Sequence, residues 1–367
     1  MTDAQFLSEA IAEARHGLGE TSPNPAVGAL VVKDGEIIGR GFHTWAGVQH
    51  AETVALAEAG GRARGATLYV SLEPCSHQGR TGPCADAVIA AGIRRVVAAM
   101  EDPNPQVAGQ GLARLQEAGI DVAVESSLTA EAERLNEPFV HYMRTGKPLV
   151  TIKAALTLDG KIAAPVDNTG WITSELARAH VQELRHQADA ILTGIGTLLA
   201  DDCLLTDRTA RRRSRPLLRI VLDSQLRIPL TSRMVESCQR DVMVVTTSLS
   251  SLERRKQLED RGVRVLVADA PGGRTDLTQL VAALARERYL SLMIEGGSKV
   301  NWASLETGVA DKIYFYYAPK ILGGLQSLPV AGGMGRSRRA DAIQFRDVTV
   351  HPITREEFAV EAWVSKP

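Results

Sequence analysis

At 367 residues the chain exceeds what one hydrophobic core usually organises, so two domains are expected. Apolar residues make up 44% and charged residues 23%, which excludes a disordered chain and leaves enough apolar material for two cores. A formal net charge of -1 offers no positive field to hold a polyanion, so no nucleic-acid partner is expected.

No apolar run approaches the roughly 18 residues that span a bilayer. Asp3, Glu9, Glu13, Arg15 and Glu20 interrupt the first twenty residues, unlike a secretory leader, so no membrane partner and a cytoplasmic location are expected. From the N-terminus, residues 3–17 carry apolar positions at helical spacing. A β-type run at 26–32 ends in the turn Lys33-Asp34-Gly35. Helix 51–59, strand 67–72, helix 85–91, strand 95–99, helix 109–118 and strand 121–124 follow. This alternation predicts a mostly parallel sheet covered on both faces. After a polar helical stretch at 129–142, Thr145-Gly146-Lys147-Pro148 marks a border, giving domains 1–146 and 147–367.

Beyond the border the alternation restarts with strand 149–155, helix 174–187 and strands at 190–193, 218–222 and 241–246. Helix 249–261, strand 263–267, helix 276–288, strand 291–295 and a strand-rich final third with 312–318 complete a second α/β domain. The basic cluster at 211–215, beside Pro216, reads as an exposed connector.

The N-terminal half carries His50-Ala51-Glu52, then Pro74-Cys75 and Cys84. One imidazole and two thiolates suit tetrahedral Zn2+ and leave its fourth position for water, which marks a catalytic rather than a closed structural site. Glu52, two residues after His50 at a helix start, is placed to reach that water without ligating the metal. It would carry the proton to the ring nitrogen and the departing amine, the division of labour found in zinc deaminases. Eight residues, 76–83, separate the cysteines where the common deaminase pattern has two, so this insertion is a candidate specificity element. Cys203 and Cys238 read as plain thiols.

These motifs, with Ser22-Pro23-Asn24-Pro25-Ala26-Val27-Gly28, Gly41-Phe42-His43, Glu73-Pro74-Cys75-Ser76-His77 and Asp102-Pro103-Asn104-Pro105, resemble the bifunctional deaminase/reductase family of riboflavin biosynthesis. The resemblance implies a cytidine deaminase-like three-layer α/β/α domain. Its substrate would be a phosphorylated diaminopyrimidinone, deaminated at ring carbon 2. Asn24 would hold the pyrimidine or ribose, while His43, His77, Arg80, Asp102 and Asn104 would line the ribose-phosphate side. Gly82 stands where the family more often has proline.

In the second half no Gly-x-Gly-x-x-Gly fingerprint appears. Glu295-Gly296-Gly297-Ser298 instead leads from a strand into helix 299–305, an entry whose backbone N–H groups suit a dinucleotide diphosphate. Together with Lys153, Leu158-Asp159-Gly160-Lys161, Trp171-Ile172-Thr173-Ser174, Gly194-Ile195-Gly196-Thr197, Asp201-Asp202, Leu222-Asp223-Ser224 and Pro319-Lys320, these residues resemble the family's reductase domain. That implies a dihydrofolate reductase-like α/β fold, NADPH as cofactor and hydride delivery to the sugar. Leu156, Trp171, Thr197, Asp201, Ser224, Gly297, Ser298, Lys299, Val300, Asn301, Trp302 and Ala303 would contact NADPH. Thr169, Arg185, Leu205, Arg208 and Glu295 would contact substrate, with Arg185 and Arg208 suited to clamping a phosphate monoester. Lys153, Asp201 and Glu295 are the polar candidates for assisting hydride transfer, unranked. Cys203 replaces the family's usual proline after the Asp pair. A homo-oligomer, dimer or tetramer, is expected. The competing reading is a nucleoside or tRNA deaminase with an appended nucleotide-binding domain.

Overall fold

The computed structural model describes residues 1–44, 49–77, 82–166 and 168–366, and the chain divides into two compact units. The first comprises Met1–Gly146 and Arg212–Arg215, the second Lys147–Arg211 and Pro216–Pro367.

In the first unit the order is α1 (Asp3–Ala14), β1 (Gly28–Lys33), β2 (Glu36–Phe42), α2 (Ala51–Ala59), β3 (Thr67–Val70), α3 (Cys84–Ala90), β4 (Arg95–Ala98), α4 (Gln110–Glu117), β5 (Asp121–Val124), α5 (Thr129–Leu135) and α6 (Glu137–Thr145). The sheet runs β2-β1-β3-β4-β5. Phe6, Leu7, Ala10, Ile11 and Ala14 of α1 pack on one face with Leu30, Tyr69 and Val97. Ala51, Ala55 and Ala59 of α2, with Ala85, Val88, Leu112 and Leu115, cover the other, so the unit is three-layered.

The sheet is mixed rather than mostly parallel. β1 pairs antiparallel with both β2 and β3, and only β3-β4-β5 is parallel. Asp34 and Gly35, both at positive φ, close a tight β1-β2 hairpin. β2 itself has little strand signature because Gly39 and Gly41 interrupt it. Those glycines are required: a Cβ at Gly39 would lie 2.2 Å from the Ala55 carbonyl oxygen, and one at Gly41 2.3 Å from that of Ala51. The start of α2 is thereby seated directly on the sheet, which fixes His50 and Glu52. The polar helical stretch breaks at Asn136, whose buried amide bonds both the N–H and the carbonyl of Ala26 at 2.8 Å and pins the loop containing Asn24.

The second unit contains β6 (Leu149–Thr157), β7 (Lys161–Ala163), α7 (Glu175–Gln187), β8 (Ala190–Gly194), α8 (Ile195–Asp201), β9 (Leu218–Leu222), α9 (Arg233–Glu236), β10 (Val242–Thr246) and α10 (Leu252–Glu259). There follow β11 (Arg264–Val267), β12 (Asp269–Ala270), β13 (Arg274–Thr275), α11 (Leu277–Arg286), β14 (Ser291–Ile294), α12 (Ser298–Glu306), β15 (Lys312–Ala318), β16 (Leu328–Pro329), β17 (Phe345–Pro352) and β18 (Phe358–Val364). Nine strands form one sheet in the order β11-β10-β9-β8-β14-β6-β15-β18-β17. It is parallel from β11 to β15 and antiparallel at β15-β18 and β18-β17. Val150, Ile152, Leu192, Ile220, Leu292 and Ile294 lie within one core, as expected for strands covered on both faces. β14 inserts between β8 and β6, so residues distant in sequence meet at the carboxyl ends of the central strands.

Among the described residues no helix is long and apolar enough to cross a membrane.

Candidate functional site

In the first unit His50 is the residue that opens α2, with extended backbone (φ -80, ψ 154) and no side-chain bond to the helix, so its ring is free to face elsewhere. Cys84 begins α3, and the Ala85 N–H donates to the Cys75 carbonyl at 3.1 Å, which holds the two cysteines together. His50 Nδ1 lies 3.5 Å from Cys75 Sγ and 3.0 Å from Cys84 Sγ, and the three donor atoms all fall within 4.8 Å of one another. Zinc bonded at about 2.3 Å to sulfur and about 2.0 Å to nitrogen, at tetrahedral angles, implies sulfur-nitrogen edges of about 3.5 Å. The donor set and its spacing therefore fit zinc.

The Cys75 thiol is the more acidic of the pair. Hydrogen bonding from the Cys84 thiol outweighs burial and, with His50 and the Cys84 N–H, brings Cys75 down to about 4, while the same bond pushes Cys84 up. Glu52 is 3% exposed and in contact with the Cys84 thiol. Burial raises its carboxyl to about 7 despite the pull of its own backbone N–H and of His50. A carboxyl at that position can take and return a proton at neutral pH.

His43 is buried, and burial lowers its pKa, favouring the neutral ring. Its Nδ1 faces the Gln49 carbonyl at 2.8 Å, so Nδ1 donates there and Nε2 accepts from the Asn24 amide at 3.3 Å. The His43 and His50 rings meet edge to face at 5.2 Å. Asn24 and His43 thus border the cysteine-histidine cluster. Asp102 receives the Asn104 N–H at 2.8 Å, and burial raises its carboxyl while exposed His77 draws it down. Arg80 lies outside the described residues, as does most of its loop, 78–81.

One buried residue with no assigned role from sequence is Glu73. It accepts four backbone N–H groups, from Asp102, Gly109, Gly111 and Leu112. Its only sequence signal is its place immediately before Pro74-Cys75.

In the second unit Glu295 follows β14, Lys153 projects from β6 and Arg185 from α7. Lys153 Nζ is 3.3 Å from Glu295 Oε2, and Arg185 donates through Nε to Oε1 at 2.6 Å and through Nη2 to Oε2 at 3.0 Å. Burial alone would raise the Glu295 carboxyl. The Lys153 ammonium and the Arg185 guanidinium override it and hold the group at about 2. Arg185 Nη1 also donates to the Thr206 carbonyl at 3.1 Å. The fork expected to face a phosphate thus grips a carboxylate and a loop carbonyl.

That loop, which carries Leu205 and Arg208, is held from several sides. The Arg208 N–H donates to Gln182 Oε1 at 3.0 Å, and His186 pairs with Asp207 at 2.8 Å. Arg219, 2% exposed and bidentate to Asp241 at 2.9 and 3.0 Å, donates to the Leu204 carbonyl at 3.2 Å. Leu205 is buried at φ 51, and the Arg208 side chain is exposed. Thr169 is exposed.

Of the residues expected to meet a cofactor, Gly297 caps α12 without a side-chain bond, and a Cβ there would sit 3.4 Å from Thr197 Oγ1. Ser298 Oγ is buried with no hydrogen-bond partner among the described residues. Free amides at a helix start beside an unpartnered hydroxyl fit an anionic group. Lys299 is exposed, Val300 packs under Gly194 and Gly296, and Trp302 and Ala303 are half-buried. Asn301 is fully buried and donates to the Val330 carbonyl at 2.8 Å, so its side chain faces the fold. Leu156 is likewise fully buried in the core, which leaves its backbone rather than its side chain to meet a ligand. The Ser224 carbonyl accepts from Thr246 and Thr247, Asp201 ends α8 at the surface, and Trp171 is 69% exposed with the Arg178 guanidinium 4.7 Å above its ring.

Residues 1–100 match the zinc-binding region of cytidine and deoxycytidylate deaminases, and residues 148–356 match the RibD C-terminal domain. The chain is 44% identical over 361 residues to riboflavin biosynthesis protein RibD of Escherichia coli (strain K12), covering 94% of this chain and 95% of that protein. To the same protein of Actinobacillus pleuropneumoniae it is 43% identical over 346 residues, 94% of this chain and 91% of that one. Among solved structures, Acinetobacter baumannii RibD (form 1) superposes with a TM-score of 0.88 at 36% identity, covering 99% of each chain. A diaminohydroxyphosphoribosylaminopyrimidine deaminase/5-amino-6-(5-phosphoribosylamino)uracil reductase from Thermotoga maritima gives 0.85 at 36% identity, again over 99% of each. The chain therefore belongs to the RibD family of riboflavin biosynthesis enzymes, in which a zinc-binding deaminase and a reductase share one polypeptide.

Proposed function

We propose that residues 1–146 hydrolytically deaminate 2,5-diamino-6-(5-phosphoribosylamino)pyrimidin-4(3H)-one and that residues 147–367 reduce the ribosyl group of the product to ribityl with NADPH. The observation that carries the reading is the convergence of His50, Cys75 and Cys84 beside a buried carboxyl, Glu52.

His50, Cys75 and Cys84 would hold the zinc, which when bound acts as a Lewis acid that acidifies water. Glu52 carries one proton of the attacking water to the ring nitrogen, then carries the proton of the resulting hydroxyl on carbon 2 to the amine, which leaves as ammonia while the carbonyl forms. The Asn24 amide, oriented by neutral His43, receives the pyrimidine or ribose. Asp102, Asn104 and His77 face the phosphoribosyl end, and Arg80 is assigned to its phosphate.

In the reductase the amides at the start of α12, with Trp171, Thr197 and Ser224, bind NADPH, which supplies the hydride for C1′. The C1′–O4′ bond opens and O4′ takes a proton. Glu295, held as an anion, has none to give. Lys153 does, and Glu295 orients it. Arg208, whose side chain is exposed, is the more available phosphate clamp, while Arg185 holds Glu295 and the 203–208 loop in place. Thr169 and Leu205 border the same substrate. An assembly of two or four copies and a cytoplasmic location fit an enzyme of this kind.

The test is one incubation of the purified zinc-loaded protein with the diaminopyrimidinone phosphate, followed by mass spectrometry. A deaminated product is expected without NADPH, and a product two hydrogens heavier once it is added. Failure of either mass to appear removes the corresponding half of the proposal.

A further inference from the structure

Glu73 stands where a strand ends and the metal-ligand loop begins, two residues before Cys75. It is 6% exposed, and both carboxylate oxygens are engaged. Oε2 accepts from the N–H groups of Asp102 and Gly109, both at 2.9 Å. Oε1 accepts from Gly111 at 2.7 Å and Leu112 at 3.3 Å. The Glu73 N–H donates to the Met100 carbonyl at 3.0 Å, so main chain and side chain clasp the same segment.

The two oxygens do different things. Oε1 caps the first turn of α4, which begins after left-handed Gly109 with no side-chain cap of its own, and a negative charge suits a helix start. A cap for stability alone would need nothing more. Oε2 instead reaches back to the loop before the helix, to the N–H of Asp102 itself. From there Asp102 receives the Asn104 N–H at 2.8 Å, and Asn104 receives that of Gln106 at 3.1 Å. The contact is also built for closeness from the other side. A Cβ on Gly111 would fall 1.8 Å from the Pro74 carbonyl oxygen, so only glycine lets α4 seat against the Glu73-Pro74 backbone.

We propose that Glu73 is a positioning residue of the deaminase, setting the distance between the Cys75 metal-ligand loop and the Asp102-Asn104 loop that receives the phosphoribosyl end of the substrate. The inference rests on the reading of Asp102 as a substrate contact. Glu73 touches no reacting atom and acts through the loop it holds.

The experiment uses the full chain loaded with zinc and compares Glu73→Gln, Gly111→Ala and Asp102→Asn in steady-state deamination. Whichever way the introduced amide turns in Glu73→Gln, its NH2 opposes one pair of backbone N–H groups. Charged hydrogen bonds of this kind, lost from a positioning role, are expected to raise KM about tenfold while kcat falls less than about threefold. Zinc content should be unchanged, and so should the reductase rate on already deaminated substrate. Gly111→Ala, which keeps the carboxylate but presses the helix off Pro74, should raise KM in the same way and stands in if Glu73→Gln does not fold. If KM stays at the wild-type value while kcat and zinc content drop together, Glu73 only stabilises and the inference is overturned. The same holds if Asp102→Asn raises KM and neither of the other variants does. If Asp102→Asn itself leaves KM unchanged, the reading of Asp102 fails first and takes the inference with it.

Discussion

Glu52, 3% exposed, and Glu295, its side chain 12% exposed, are two carboxylates largely withdrawn from water, and they end in opposite states. Around Glu52 stand two thiols and one imidazole, and burial carries its carboxyl up to about 7. Around Glu295 stand the Lys153 ammonium at 3.3 Å and the Arg185 fork at 2.6 and 3.0 Å, and its carboxyl goes down to about 2. Burial by itself makes a carboxyl a proton carrier. The same burial beside two cations makes it a permanent anion, useful for holding other groups in place. On the proposed function the first arrangement serves a step that moves protons, and the second serves one whose difficult chemistry comes from a cofactor and needs orientation.

The sharpest way to break the contrast is Glu52→Gln. Loss of a general acid-base group lowers the rate by about 10²- to 10⁴-fold, and deamination should fall by that much with zinc retained. Reduction of already deaminated substrate should continue at the wild-type rate. Normal deamination by this variant would mean that the raised carboxyl is not the proton carrier.

On the other arm, Arg185→Met leaves Glu295 buried with Lys153 alone. Breaking a buried ion pair from one side costs about 3–5 kcal/mol, which urea unfolding of the second unit should register. Removing the remaining pair as well, with Glu295→Gln and Lys153→Met, should restore most of that loss, because no buried charge is then left without a partner. A triple variant no better than the single would show that the guanidinium matters for packing and for the Thr206 carbonyl rather than for the charge on Glu295.

Acid provides a third, smaller test. A carboxyl whose folded pKa lies below its unfolded value stabilises the fold above the unfolded value, and that contribution disappears as pH falls through the folded one. For Glu295 the window runs from the ordinary 4.5 down to about 2. The shift corresponds to on the order of 3 kcal/mol. Stability of the wild type should therefore fall across that window more steeply than that of Glu295→Gln, as followed by urea midpoints at successive pH values. Parallel slopes would remove the two-cation account of Glu295.

The two arms were not equally legible in the sequence. His50, Cys75 and Cys84 announce themselves because metal ligation demands particular residue types, and His50 and Cys84 sit at helix starts that the pattern of apolar residues already marks. Glu295 shows only that it precedes a Gly-Gly turn. Its partners lie 142 and 110 positions away, and they meet it because β14 inserts between β8 and β6, an ordering that no local pattern encodes. For the same reason Arg185 reads from sequence as a phosphate clamp, and its pairing with Glu295 leaves no trace there. β2 was illegible for the opposite reason. Its glycines weaken the strand signal locally because α2 leaves no room for a side chain at Gly39 and Gly41. Asn136 and Glu73 escape notice because each acts by bonding backbone groups, and backbone N–H and carbonyl groups leave no residue-type signature in the chain.

The finest test asks whether the charge on Glu295 is set by its two cations alone or by a longer polar chain. Lys153 Nζ lies 5.9 Å from the centre of the Tyr316 ring, and the Tyr316 hydroxyl is 2.6 Å from His180 Nδ1. Burial lowers the pKa of His180 and raises that of Tyr316, so each favours its neutral form and the hydroxyl can donate to the imidazole. Tyr316→Phe keeps the ring beneath the ammonium and removes only that hydrogen bond. If the two cations suffice, the variant should lose about 1 kcal/mol of stability to urea, the usual net worth of a neutral hydrogen bond. The pH dependence of its reductase activity should then overlay that of the wild type. A displaced acid or base limb would show that His180 and Tyr316 feed charge or protons to Lys153. The reductase would then share with the deaminase a titrating group near its chemistry, and the contrast between the two carboxylates would describe only their immediate neighbours.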